Sequence, residues 1–326
     1  MKSYWIRDEN GTIALEGREL PVPVPQPGEV LLRIRAAGLN RGEFIAGHGL
    51  HAAGAAKPCG IEGAGEVAET GTGVANLKTG DRVMGRCRGA FAEFALMDAR
   101  EAIRVPQSLS WEQAAAVPLA FMTAHDMLIA NGHLAPGEWL LVTGASSGVG
   151  VASLQAAKAI GARVIGTSGS SEKLARLQAL GLDAGIQTRR ADFAEAVMRA
   201  TGGSGANLVV NNVGGSVFAE CIRALAFEGK FATVGYVDGV MKAEIDIDAL
   251  HSKRLRLFGV SNKLRSVEQR VQTVRGFVAD LLPFIAEGRI RPVIDRVFPF
   301  SELPAAKAHM ESNAHLGKIV VRMDAV

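Results

Sequence analysis

The hydrophobic pattern of the chain changes character once. Up to about residue 100 the apolar positions fall in short, strand-length runs: Val30–Ala37 (VLLRIRAA), Gly65–Ala68 and Phe91–Met97. Glycine-bearing turns separate them at Gly28-Glu29, Gly71-Thr72-Gly73 and Gly80-Asp81. Proline at every second position from Pro21 to Pro27 makes that segment an extended entry to the first long strand. From Trp111 the spacing lengthens. Trp111–Ala116 and Thr123–Asn131 read as helices, with Ser110 placed to cap the first. From Glu138 strands and helices alternate: strand Trp139–Val142, helix Val149–Ile160, strand Arg163–Gly166, helices Glu172–Leu180 and Phe193–Thr201. Strand Asn207–Val210, helix Val217–Ala226 and strands Lys230–Val234 and Leu255–Val260 follow. Repeated βα units of this spacing predict an α/β fold with a doubly wound parallel sheet. A long helix over Val267–Glu287 and short strands near Val293–Val297 and Lys318–Arg322 complete the chain. No repeat of 20–50 residues is visible.

Composition narrows the class. Hydrophobic residues make up 48% and charged residues 21%, which fits a packed core and excludes disorder. Lys+Arg 36 against Asp+Glu 33 leaves +3, with no long basic run, so neither nucleic acid nor an anionic membrane surface is expected as a partner. No apolar run of about 18 residues exists, and the first residues lack the apolar core of a signal peptide. Cys59, Cys87 and Cys221 are too scattered for a disulfide framework and suit the reducing cytosol, so a cytoplasmic location is expected. Glycine is the unusual component: 38 of 326 residues, with only 12 prolines and no G-X-Y period.

Several of those glycines fall where they carry chemistry. Leu141-Val142-Thr143-Gly144-Ala145-Ser146-Ser147-Gly148-Val149-Gly150 joins a buried strand to a helix. Such a junction lets backbone approach a pyrophosphate and offers it a helix N-terminus, a role that falls to Gly144, Ser147, Gly148, Val149 and Gly150. The next strand ends Ile165-Gly166-Thr167-Ser168-Gly169-Ser170, without the acid that bonds a ribose 2′-hydroxyl in NAD-binding chains. The hydroxyls of Thr167 and Ser168 and the nearby Lys173 suit a 2′-phosphate instead, so NADP(H) is the expected cofactor. Thr143–Gly150 also matches the TGxxxGxG of short-chain dehydrogenases. Those enzymes need Tyr-x-x-x-Lys, and the tyrosines here are Tyr4 and Tyr236, with Val240 four residues after the latter.

About 140 residues precede the glycine turn, and the chain resembles the medium-chain dehydrogenase/reductase superfamily nearly end to end. The likeness is carried by Ala36-Ala37-Gly38-Leu39-Asn40-Arg41, Gly60-Ile61-Glu62-Gly63-Ala64-Gly65-Glu66-Val67 and Gly80-Asp81-Arg82-Val83-Met84-Gly85. Ala115-Ala116-Val117-Pro118-Leu119, Asn212-Val213-Gly214-Gly215 and Gly317-Lys318-Ile319-Val320 extend it. The resemblance implies a GroES-like, mostly-β catalytic domain (1–119 and 263–326) and a Rossmann domain (120–262), with the active site in the cleft between them. At the positions that hold zinc in the alcohol dehydrogenases stand Asn40, Ile61 and Leu119, an amide and two alkyl groups. The four-cysteine structural lobe is missing as well. No catalytic metal is therefore expected, and the chain is similar to the zinc-independent quinone oxidoreductases, especially those carrying Leu-Asn-Arg.

That branch implies hydride transfer from NADPH to a small-molecule quinone or α,β-unsaturated carbonyl. Asn40 is the candidate to orient nicotinamide or acceptor, with Arg41 beside it. His51 takes the place eleven residues on where relatives often have tyrosine, and its reference pKa of about 6.5 would let it donate a proton. Relatives often read Asn-Tyr-Arg after the second Rossmann helix; here Gln187-Thr188-Arg189 leaves Arg189 or Arg190 to meet the 2′-phosphate. The resemblance also implies contacts to cofactor from Thr123, Asn212, Val213, Gly214, Gly235, Tyr236, Ser261 and Asn262, to substrate from Arg265, and a homodimer. A zinc-type alcohol dehydrogenase with relocated ligands and a non-enzymatic NADPH-binding protein are the alternatives.

Overall fold

The computed structural model describes residues 1–9, 11–45 and 56–323, in two units. One comprises residues 1–119, 263–278 and 292–326, the other 120–262 and 279–291. The segment 279–291, left with the first domain on sequence grounds, thus groups with the second unit.

In chain order the first unit opens with β1 (Lys2–Glu9), β2 (Thr12–Glu19), β3 (Glu29–Gly38), β4 (Lys57–Pro58), β5 (Glu62–Thr70), β6 (Arg82–Arg86), β7 (Phe94–Asp98), β8 (Ile103–Arg104) and the short helix α1 (Trp111–Ala115). β3 is its organising strand, pairing antiparallel with both β5 and β7. Its alternation explains why: Val30, Leu32 and Ile34 point into a core with Val67, Val83, Phe91 and Met97. Each such side chain, fully buried, contributes roughly 1.5–3 kcal/mol. Ser110 opens α1 by accepting from the Gln113 amide N–H, while the Gln113 side chain accepts from the Ser110 N–H.

Next comes α2 (Pro118–His125), continued by a π-helical turn over Asp126–Ala130. It starts five residues before the expected Thr123, because proline is tolerated in a first helical turn. The second unit then runs β9 (Trp139–Thr143), α3 (Gly148–Ile160), β10 (Arg163–Ser168), α4 (Ser171–Ala179), β11 (Ala184–Gln187), α5 (Ala194–Ala200), β12 (Ala206–Asn211), α6 (Phe218–Ala224), β13 (Leu225–Thr233), α7 (Ile247–Ser252) and β14 (Arg256–Gly259). Its sheet is parallel, in the order β11-β10-β9-β12-β13-β14. Leu140, Leu141, Val142, Val164, Ile165, Leu208, Val209 and Val210 are all but inaccessible, as expected of strands covered on both faces. The order reverses direction between β9 and β12, the signature of a Rossmann fold and the place where such sheets take a ligand.

The chain ends with α8 (Val267–Asp280), α9 (Leu282–Ala286), β15 (Ile294–Pro299), α10 (Leu303–Glu311) and β16 (Lys318–Arg322). The single helix expected over Val267–Glu287 is broken at Leu281, where Pro283 supplies no amide hydrogen. β16 returns to pair with β3.

Gly65 of β5 lies across from Ile34 at an irregularity in the β3 register, and a Cβ there would land on the Arg33 carbonyl. Gly65→Ala is therefore expected to destabilise the protein by roughly 1–3 kcal/mol. Chemical denaturation reads this as a lowered midpoint; an unchanged midpoint would contradict the register.

Candidate functional site

The second unit gathers its candidate residues at the carboxyl ends of adjacent strands. Thr143 of β9, Asn211 of β12 and Thr233 of β13 stand in register, and the β10 end lies on the other side of β9. Gly144 follows β9 with a positive φ of 59°, and its N–H donates to Thr167 Oγ1 at 3.2 Å, tying the turn to β10. Ser147 caps α3 by accepting from the Gly150 N–H at 3.1 Å. The turn is thus shaped by its own side chains, with the first turn of α3 (Gly148, Val149) at its mouth. That arrangement fits a dinucleotide pyrophosphate.

At the end of β10, Ser168 Oγ accepts from the Ser170 N–H and Ser170 caps α4 by accepting from the Lys173 N–H at 3.2 Å. A Cβ on Gly169 would collide with the Arg189 guanidinium, so Arg189 lies flat against the glycine backbone. Arg189, Lys173, Thr167 and Ser168 therefore belong to one neighbourhood. Arg190 is exposed, and its N–H donates to Thr188 Oγ1.

One residue that sequence reasoning passed over organises the β12 end. The fully buried Asn211 accepts at Oδ1 from Thr143 Oγ1, Val213 N–H and Gly214 N–H, and donates to the Gly214 carbonyl. Asn212 donates to the Thr143 carbonyl at 2.9 Å. Gly214 has φ 131° and no room for a Cβ, because the Asp238 carboxylate stands against it. Asp238 in turn accepts from Ser216 N–H and Val240 N–H, both at 2.9 Å, and so holds the Gly214 and Tyr236 turns together. The signal was the repeated Asn211-Asn212, of which only the second was singled out. Gly235 follows β13 beside the Asn212 carbonyl, Ser261 and Asn262 lie beyond β14, and Thr123 is half-buried on α2.

In the first unit Asn40 follows β3 and sits in a buried ionic cluster. Its Nδ2 donates to Glu62 Oε1 at 2.9 Å and Glu43 Oε1 at 3.2 Å, while its Oδ1 accepts from Lys318 Nζ at 2.8 Å. Lys318 also donates to Glu62 Oε1 at 2.6 Å and the Leu39 carbonyl at 2.8 Å. Glu62 Oε2 accepts from the Leu119 N–H, and Glu43 Oε2 from the Gly60 N–H. Glu43, Glu62 and Lys318 are 1%, 0% and 6% exposed, so these charges have little recourse to water. Burial pushes the Glu43 carboxyl up to about 7.

The remaining candidates divide. Arg41 Nη2 donates to the Met310 carbonyl and to Asn313 Oδ1 at the end of α10. Arg265 donates to Thr273 Oγ1 within its own segment. His51 lies outside the described residues. For a metal, Asn40, Ile61 and Leu119 offer one amide oxygen, and that oxygen already faces the Lys318 ammonium. Such a donor set does not fit zinc.

Residues 148–278 match the family model of zinc-binding dehydrogenases, and residues 26–107 that of the alcohol dehydrogenase GroES-like domain. Over 307 residues the chain is 32% identical to quinone oxidoreductase-like protein 2 of Bos taurus, covering 93% of this chain and 87% of that one. Its fold is similar to mycobacterial Rv1454c complexed with NADPH, at TM-score 0.89 and 26% identity over 99% of this chain and 100% of that one. It is also similar to the CurK enoyl reductase, at TM-score 0.86 and 26% identity over 98% and 99%.

The Glu43 carboxyl gives a pH test. Folding raises it from near 4.5 to about 7, so the folded protein keeps a proton that the unfolded chain has released between those values. Its contribution is full below about pH 4.5 and lost as pH rises through about 7. The span corresponds to about 3 kcal/mol. Unfolding free energies across this window should slope downward with pH, and Glu43→Gln should flatten the slope; an unaltered slope would contradict the assignment.

Proposed function

The chain belongs to the quinone oxidoreductase branch of the medium-chain dehydrogenase/reductase superfamily, whose members are oxidoreductases using nicotinamide cofactors, and on that premise we propose that it passes hydride from NADPH to a quinone or an α,β-unsaturated carbonyl without a metal. The observation that carries this reading is the end of β10. Thr167-Ser168-Gly169-Ser170 presents hydroxyls and no carboxylate, and the Arg189 guanidinium lies against it, a setting that favours a 2′-phosphate over a 2′-hydroxyl. The NADPH complex of the mycobacterial neighbour supports the same choice. The turn at Gly144 and the α3 N-terminus would take the pyrophosphate, and the Asn212–Gly214 and Gly235-Tyr236 turns would border the nicotinamide. When bound, NADPH supplies the hydride.

The acceptor's oxygen gains negative charge as hydride arrives at carbon, and hydrogen-bond donors or nearby positive charge must meet it. Lys318 supplies positive charge directly behind Asn40, and Asn40, its amide hydrogens held by Glu62 and Glu43, is suited to orient the reactants through the second lone pair of its Oδ1. A quinone oxidoreductase-like relative and an enoyl reductase neighbour favour the two acceptor classes together. We also propose a homodimer. β14 is an edge strand with an exposed Leu257, and Phe227, Met241 and Ile247 of the same unit are exposed apolar side chains.

NADPH oxidation should be measured with small quinones and enones, alongside elemental analysis. Turnover by metal-free protein is expected. No turnover with any acceptor, or stoichiometric zinc with chelator-sensitive alcohol oxidation, would overturn the reading. Arg189→Ala should raise KM for NADPH by about tenfold and leave NADH unaffected, since a charge-assisted contact to phosphate is lost. By light scattering the wild type should be dimeric and Leu257→Lys monomeric; a monomeric wild type would contradict the edge assignment.

A further inference from the structure

The first unit carries a cation that its own structure does not use. Arg86 ends β6 directly opposite Glu62 in the antiparallel β5–β6 register, so its side chain leaves the sheet on the face of the Glu62 carboxylate. It is half-buried and makes no hydrogen bond or ion pair among the described residues. The charged groups facing it are Arg270, Glu101 and Glu43.

Those neighbours are committed elsewhere. Glu101, buried, accepts from Arg270 through both Nε and Nη2 at 2.9 Å. The third donor group of Arg270, Nη1, donates to the Arg265 carbonyl. Glu62 is engaged by Lys318, Asn40 and the Leu119 N–H. Glu101 and Glu62 are thus ion-paired with Arg270 and Lys318, and Glu43 accepts from Asn40 and the Gly60 N–H. Among the described residues Arg86 is the cation of this neighbourhood that holds no ion pair or hydrogen bond of its own. Removing a cation from water without a counter-charge is unfavourable, so an arginine kept this way is suited to an anion that arrives from outside. A planar guanidinium fork matches a carboxylate, which it can hold bidentately.

We propose that Arg86 recognises a carboxylate carried by the quinone or enone acceptor, so that the protein selects acidic acceptors over their neutral counterparts. This rests on the reading that Asn40 and the face it shares with Glu62 belong to the acceptor site.

The test uses 4-oxopent-2-enoate and its methyl ester as hydride acceptors, and their saturated forms, 4-oxopentanoate and its ester, as non-reacting ligands in calorimetric titrations of the NADPH-loaded protein. The wild type should show a KM for the acid about tenfold below that for the ester, the size of one charge-assisted hydrogen bond. Arg86→Gln should erase the preference while leaving ester kinetics and the KM for NADPH unchanged, and Arg86→Lys should restore part of it. The saturated acid should likewise bind more tightly than its ester to the wild type alone. Turnover of both acceptors with equal KM, or a preference that survives Arg86→Gln, would overturn the proposal and leave the hydride-transfer reading standing. No turnover with Arg86-dependent binding of the saturated acid would support the anion site and remove the hydride-transfer reading. Neither turnover nor anion-dependent binding would overturn both.

Discussion

The Lys318 ammonium is the contact on which the buried cluster around Asn40 depends. It reaches from the first residue of β16 to Glu62 at the start of β5 and to the carbonyl of Leu39 and the amide of Asn40 just after β3. Three segments separated by up to 279 residues are thereby fixed at one point. The pair is almost wholly removed from water, and deleting one partner of such a pair typically destabilises by about 3–5 kcal/mol because the other is left uncompensated. With its carbonyl oxygen on Lys318 and its amide hydrogens on the two glutamates, Asn40 is left with one orientation. Its geometry is thus set in part by a protein-borne cation.

The second unit fixes its candidate residues mainly through hydrogen bonds at the strand ends. The middles of its central strands β9, β10 and β12 are apolar, and the polar groups at their carboxyl ends are tied to one another. Thr143, Asn211 and Asn212 form one network at the β9 and β12 ends, and Thr167 joins the glycine turn to β10. Asp238 then fastens the turn at Gly214 to the one after β13. The result is a rim of backbone N–H groups and hydroxyls joined by side-chain hydrogen bonds. Arg189 adds positive charge at one end of that rim, where only a residue without Cβ leaves it space.

The second unit was legible in the sequence almost element by element, because buried parallel strands read as continuous apolar runs broken by glycine turns. β1 and β2 were not singled out: KSYWIRDE and TIALEGRE are rich in charge, and only Ser3 and Ile6 of the first and Ile13 of the second are fully buried. The cluster around Asn40 was legible only in part. Asn40 stood out through resemblance, but Glu43, Glu62 and Lys318 are charged residue types that sequence reading sends to the surface. Their burial follows from strand pairings across most of the chain, which no local pattern contains. Arg41, beside Asn40 in sequence, sends its Nη2 to the end of α10, a contact that register between distant segments sets and no local pattern contains. Arg86 was hidden for the same reason as the glutamates, since its partner across the sheet is set by register alone.

Hydride transfer from NADPH without a metal is the central claim, and isotope transfer addresses it most directly. Metal-free protein would be given NADPH deuterated at the transferring position of nicotinamide C4, with an enone acceptor, and the product examined by mass spectrometry after a single turnover. The account predicts one deuterium on the reduced carbon of the product. An unlabelled product, or a label that appears only when zinc is added, would contradict it.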